Sequence, residues 1–212
     1  MPNRDVTDAA AKLAAWAARV AGLVLALLLI GPDARAQQMD WELPHPAPRH
    51  GHAMAYDSAR GVAVLFGGAT GVGSADAETW EWNGTAWTHR MVSGPSARNG
   101  HAMAYDSARG VTVLFGGYTN NGRSAETWEW DGKAWAQRMA GGPSARYHHA
   151  MAYDSARGVT VLFGGGDAET WEWDGIAWTK RMVGGPSARS YHAMVYDTAR
   201  GVTVLYGGFN GS

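Results

Sequence analysis

The stretch HAMAYDSARGVTVLFGG, His101 to Gly117, followed after a short loop by ETWEWDGKAW, Glu126 to Trp135, decides the fold. HAMAY alternates His, Met and Tyr on one side with alanine on the other, the period of a strand. DSARG then supplies turn residues ending in glycine, the composition of a hairpin loop with a bulge. VTVLF is β-branched and apolar on both faces, so it is expected to lie between two layers rather than half in water. TWEW reads as a third strand closed by Asp131-Gly132, a strong hairpin signal, and a fourth strand starts at Trp135. Trp130 and Trp135 are therefore expected to flank a two-residue turn and to stack across it.

The unit recurs. HAMAYDSARGVAVLFGG begins at His52, the quoted copy at His101, another at His149, and HAMVYDTARGVTVLYGG at His192, a period of 43 to 49 residues. ETWEWNGTAW (Glu78 to Trp87) and ETWEWDGIAW (Glu169 to Trp178) repeat the second half, and GPSAR precedes three of the units, ending at Arg98, Arg146 and Arg189. Four short antiparallel strands in such a period match a propeller blade in size. No stretch beyond residue 36 carries helical periodicity long enough to predict a helix.

These residues also carry a resemblance. Arg-x-x-His, a strand ending in Gly-Gly, an aromatic before a turn and a Trp soon after resemble the Kelch repeat. The wording GPSAR, HAMAYD, LFGG and TWEWDG is similar to the bacterial Kelch and galactose-oxidase-central-domain kind over about Trp41 to Ser212. The resemblance implies an all-β, Kelch-like β-propeller. It would have about three complete four-stranded blades, about residues 49–97, 98–145 and 146–188, and the first two strands of a fourth in 189–212. Such propellers serve mostly as binding platforms and occasionally as enzymes, so the fold names no single function.

Bulk properties exclude more than they assign. The 212 residues carry 18 Lys+Arg against 19 Asp+Glu, without the excess that marks a nucleic-acid binder, and no cysteine, which removes disulfides and thiol chemistry. Arg4, Lys12 and Arg19, the apolar run Val20 to Ile30 and Ala34-Arg35-Ala36 read as a secretory signal peptide over residues 1–36. The apolar run is too short to span a bilayer. Export to the periplasm or beyond, with no membrane attachment after cleavage, is the expectation. Residues 37–48 read as a linker or a closing strand.

Positions identical in every copy are explained by packing, while a site for one asymmetric ligand should use positions that differ. The recurring His52, His101, His149 and His192 are read as hydrogen-bonded within their own blades, since nothing else ligand-like recurs beside them; no metal and no cofactor is assigned. Arg49, Arg98, Arg146 and Arg189 are read as satisfying loop carbonyls or a neighbouring blade's acidic residues, with an anion site at the mouth as the functional alternative. The variable positions between Arg and His and after Gly-Gly emerge on one face, giving Tyr118, Asn120, Arg123, Tyr147, His148 and Tyr191 as ligand-binding candidates. No nucleophile–base pair or acid–base carboxylate pair can be assigned, and the copper chemistry of galactose oxidase needs a cysteine this chain lacks. A non-catalytic protein- or glycan-binding module is therefore expected, with a Kelch-type sugar isomerase or a truncated propeller as alternatives. Stopping at two strands of a fourth blade leaves two faces without neighbours. An N-terminal closing strand over Met39 to Arg49, a homodimer completing the ring, or truncation would each account for that.

Overall fold

The computed structural model describes residues 44–71 and 75–210 of the chain. The chain divides into two units, residues 1–43 and 44–212. The signal peptide, and the closing strand as far as residue 43, lie outside the described residues; 44–49 contain no strand.

The described residues are all-β. The first repeat gives β1 (Ala53–Asp57), β2 (Val62–Phe66), β3 (Thr79–Trp82) and β4 (Trp87–Arg90). The second opens with β5 (Arg98–Asn99), then β6 (Ala102–Asp106) and β7 (Val111–Phe115), a small hairpin of β8 (Tyr118–Thr119) and β9 (Gly122–Arg123), and β10 (Thr127–Trp130) and β11 (Trp135–Arg138). The third gives β12 (Ala150–Asp154), β13 (Val159–Phe163), β14 (Thr170–Trp173) and β15 (Trp178–Arg181). A last pair, β16 (Ser190–Asp197) and β17 (Val202–Phe209), follows.

Each complete repeat is one antiparallel four-stranded sheet in sequence order, and β16 with β17 makes a two-stranded one. The expected strand pairing holds residue for residue: Met103 faces Leu114, and Glu129 faces both Val113 and Ala136. The DSARG turn is fixed by its aspartate, whose Oδ1 accepts the N–H groups of Ala108 and Arg109 in the second repeat. VTVLF is buried as expected, with Val113, Leu114 and Phe115 wholly inaccessible. The expected two-residue turn after TWEW is a four-residue loop instead. Asp131 Oδ1 accepts from Lys133 N and Ala134 N at 2.8 Å, so an Asx turn holds Asp131–Ala134 and Gly132 takes φ +92°. The tryptophans it joins face each other across the register, with ring centroids 5.5 Å apart and tilted by 38° rather than stacked.

Sheets pack face to face through alternating apolar and polar contacts. Val64 and Phe66 of the first meet Met103, Leu114, Trp130 and Trp135 of the second, and the same set recurs between second and third. The glutamate of ETWEW ties the layers. Glu81 Oε1 accepts from Arg60 at 2.7 Å within its sheet and from the Trp130 indole at 3.0 Å across the interface; Thr79 accepts the Trp135 indole at 2.9 Å. β1, β6, β12 and β16 consequently lie side by side. The outer side of the first sheet and the last hairpin have no such neighbour among the described residues, which leaves Tyr56 and Tyr206 exposed.

The Gly-Gly pair that ends each second strand is required where sheets approach. Gly116 has φ +67°, and a Cβ there would sit 2.7 Å from the Arg146 carbonyl oxygen and 3.0 Å from the His149 ring. Gly110 has φ +69° with nothing within 4 Å. Gly116→Ala is therefore expected to cost roughly 2–4 kcal/mol, backbone strain plus a backbone clash, against about 1 kcal/mol for Gly110→Ala. Urea midpoints of the two variants check the ranking; equal losses would remove the close approach as the reason for the glycine.

Candidate functional site

The segment from each recurring Arg to its His carries the site. Its third residue is Gly51, Gly100, His148 or Tyr191, and all four have positive φ, between +57° and +65°. In two copies glycine occupies this left-handed position without penalty, whereas histidine and tyrosine there are outliers costing on the order of 1–3 kcal/mol each. A backbone chain running from repeat to repeat holds them. Gly100 N donates to Gly51 O at 2.7 Å, His148 N to Gly100 O at 2.7 Å, and Tyr191 N to His148 O at 2.9 Å.

This backbone gathers aromatic side chains. His148 stacks on Tyr191 with centroids 3.9 Å apart and planes 23° from parallel. Tyr147 lies 4.5 Å from His148 and 5.7 Å from Tyr118, and the Arg123 guanidinium carbon stands 5.0 Å from the Tyr147 centroid, a cation–π contact. Gly100 lets this form, since a Cβ there would come within 2.9 Å of the His148 ring. Partial burial lowers the His148 pKa, favouring the neutral ring at neutral pH. Tyr118 and Tyr191 are exposed. On its other side Tyr118 joins Asn120, Thr119, Asn99 and His50 around a cavity of about 360 Å³. Five of the variable candidates, Tyr118, Arg123, Tyr147, His148 and Tyr191, thus form one cluster, and Asn120 borders it.

The arginines stand apart from this cluster. Arg98 is wholly buried, donating to Gly116 O at 2.9 Å, to Ser96 and to Glu126 at 2.5 Å. Arg146 repeats this with Gly164 O, Ser144, Asp167 and Glu169. Arg49 donates to Gly67 O and Glu78, while Arg189 keeps the carbonyl bond, to Gly207 O, and has no carboxylate partner among the described residues. The acidic partners belong to the same repeat, because the Gly-Gly turn folds the start of ETWEW back over the arginine; the expected partner in a neighbouring blade is corrected accordingly.

The histidines also differ from expectation. Among the described residues neither ring nitrogen of His101, His149 or His192 has a partner at good hydrogen-bond geometry; the backbone of Phe66, Phe115 and Phe163 in the preceding repeat stands close enough only to favour the protonated ring weakly. Each ring instead packs edge-on against the phenylalanine of the preceding repeat, Phe66, Phe115 and Phe163, at 5.5–5.6 Å. Burial foremost, and then the nearby Arg98 or Arg146 charge, push His101 and His149 down to a pKa of about 3. They are neutral rings wedged between sheets.

Sequence reasoning missed the small sheet of β5, β8 and β9, in which Asn99 pairs with Tyr118 and Thr119 with Gly122. Its signal was present in YTNNGR, a turn-forming Asn-Asn-Gly between residues able to pair. No family model matches the chain, and no curated protein matches it.

Proposed function

We propose that this chain is an exported, non-catalytic propeller module of Kelch type whose loop face binds a glycan. The observation that carries the reading is the placement of His148 and Tyr191 in left-handed backbone, where the first two copies use glycine, with their rings in one run from Tyr118 to Tyr191. Strain of this kind is kept where it positions a side chain for use. Tyrosine faces accept the apolar face of a sugar ring, and Asn120, Arg123 and the tyrosine hydroxyls supply directional bonds to its hydroxyls. The propeller reading is supported by the four copies of the sequence repeat, by one four-stranded sheet in each complete repeat, and by inner strands lying side by side. Extracytoplasmic placement is supported by the N-terminal sequence pattern alone.

A glycan array probed with the protein lacking residues 1–36 tests the function. Binding to at least one glycan class is expected, weakened more than tenfold by Tyr147→Ala or Tyr191→Ala, each removing a stacking ring. Array binding that survives both changes rejects the loop face. No glycan bound, with a protein captured in a Tyr191-dependent way, replaces glycan by protein as the ligand.

A further inference from the structure

Arg123 differs from the arginines beneath the loop face. Arg49, Arg98 and Arg146 are engaged inside the fold, where they hold Asp76, Glu78, Glu126, Asp167 and Glu169, the acidic residues of the adjoining loops. Arg123 is exposed, and among the described residues no hydrogen bond or ion pair engages its guanidinium. It is ordered instead by Tyr147, whose ring centroid lies 5.0 Å from the guanidinium carbon. The sheet of β5, β8 and β9 fixes what stands beside it. Asn99 faces Tyr118 and Tyr118 faces Arg123 in the register, so the three side chains form one row on one face of that sheet. At the Asn99 end the row borders the cavity of about 360 Å³, around which His50, Thr119 and Asn120 also stand and no Lys, Arg, Asp or Glu does. At the Arg123 end it meets Tyr147, with His148 and Tyr191 beyond. His148 adds no second cation at neutral pH, because burial lowers its pKa. The row thus offers neutral hydrogen-bonding groups, an exposed ring and one unpaired cation, in that order.

We infer that the glycan taken by this face carries a carboxylate, as a uronic acid residue does, and that Arg123 binds it. The inference rests on the loop face being a glycan site and adds the charge of the ligand. The sugar ring lies on Tyr118, its hydroxyls bond to Asn99 and Asn120, and its carboxylate accepts from two N–H groups of Arg123. A guanidinium presents a planar fork of donors that a carboxylate matches in two parallel bonds. The contact with Tyr147 holds the charge in place without consuming a donor, so the fork stays free for the ligand. A neutral sugar covering this row would take water from the guanidinium and return no opposite charge, a desolvation cost that a carboxylate offsets.

Calorimetric titration of the full chain with oligomers of galacturonate, glucuronate and mannuronate, each beside its methyl ester, and with a sulfated galactose oligomer, tests this. At least one uronate is expected to bind about tenfold or more tightly than its own ester, the effect of a charge-assisted hydrogen bond. The difference should shrink between about 50 mM and 500 mM sodium chloride, as screening weakens an exposed pair. Arg123→Gln should bring acid and ester to equal affinity, and the fold is retained because the side chain bonds to no other described residue. Arg123→Lys, which keeps the charge and loses the fork, should keep only part of the preference. Lys133→Gln, which removes an exposed cation from the Asp131–Ala134 loop, should leave the preference as it is. Esters bound as tightly as the acids, or a preference that survives Arg123→Gln, overturns the inference and leaves the glycan reading standing. A sulfated oligomer bound more tightly than every uronate, in an Arg123-dependent way, overturns the carboxylate as the anion. No oligosaccharide bound, charged or neutral, overturns the inference and the glycan reading together.

Discussion

Glu129→Ala is expected to remove about 2–4 kcal/mol of stability, the effect of orphaning a buried indole donor and unpairing two partly exposed guanidiniums. The Glu129 side chain is 2% exposed and serves three donors. Oε1 accepts from Arg109 and, at 3.0 Å, from the Trp173 indole of the next sheet; Oε2 accepts from Arg138 at 2.7 Å. Alanine would leave two half-exposed guanidiniums without their shared anion and one buried indole N–H without an acceptor. Glutamine would recover little, because its amide nitrogen would turn a donor toward a guanidinium. Glu172→Ala is the informative comparison. It breaks the equivalent bonds to Arg157 and Arg181 but, among the described residues, no bond from another sheet, so its loss should be smaller by roughly the 1–3 kcal/mol of an orphaned buried donor. Urea unfolding followed by far-ultraviolet circular dichroism measures both. Equal losses would mean that the glutamate holds its own sheet together and contributes nothing between sheets.

The second large effect is with pH. His101 and His149 titrate near 3 in the folded protein and near 6.5 when unfolded, so between those values the unfolded chain binds more protons. Stability is therefore complete above about pH 6.5 and is lost as the pH falls toward 3. At pH 5 each histidine accounts for roughly 2 kcal/mol, about 4 kcal/mol for the two, relative to pH 8. Carboxylates do not produce this slope above pH 5. Burial alone would raise Glu81, but hydrogen bonds from Arg60, Trp130 and Arg90 outweigh it and hold its pKa below the usual range, so its contribution is lost only at lower pH. Urea midpoints between pH 5 and 8 should fall steeply on the acid side, and replacing both histidines with leucine should flatten the slope. A flat profile in the unmodified protein would show that the rings take up protons in place, contrary to their burial.

Much of the fold was legible because its determinants are local and repeated. The alternation in HAMAY, the two-sided apolarity of VTVLF and the Trp-flanked loop are short-range signals, and four copies of the first two and three of the last turn each into a consistent pattern. What sequence could not supply were the contacts between copies. Glu81 and Glu129 look like surface residues of an alternating strand, and only the sheet stacking that brings Trp130 and Trp173 beside them makes them bridges. The histidines invited a hydrogen-bonded reading because imidazole is polar; their wedged placement follows from the neighbouring phenylalanine, some 35 residues earlier in the chain. At the loop face, variability between copies did single out Tyr147, His148 and Tyr191. Their backbone strain was encoded too, in the glycines that stand at the same position in the first two copies, but that needed the positions to be compared by conformation as well as by identity.

The backbone bonds linking Gly51, Gly100, His148 and Tyr191 all run one way, each N–H pointing back to the carbonyl of the copy before it. Such a row has polarity, like a zip fastened from one end. Tyr191 is tied to His148, His148 to Gly100 and Gly100 to Gly51. Because each bond constrains its donor and its acceptor equally, the four positions hold one another, and a change of backbone shape in any copy is felt by the copies on either side of it.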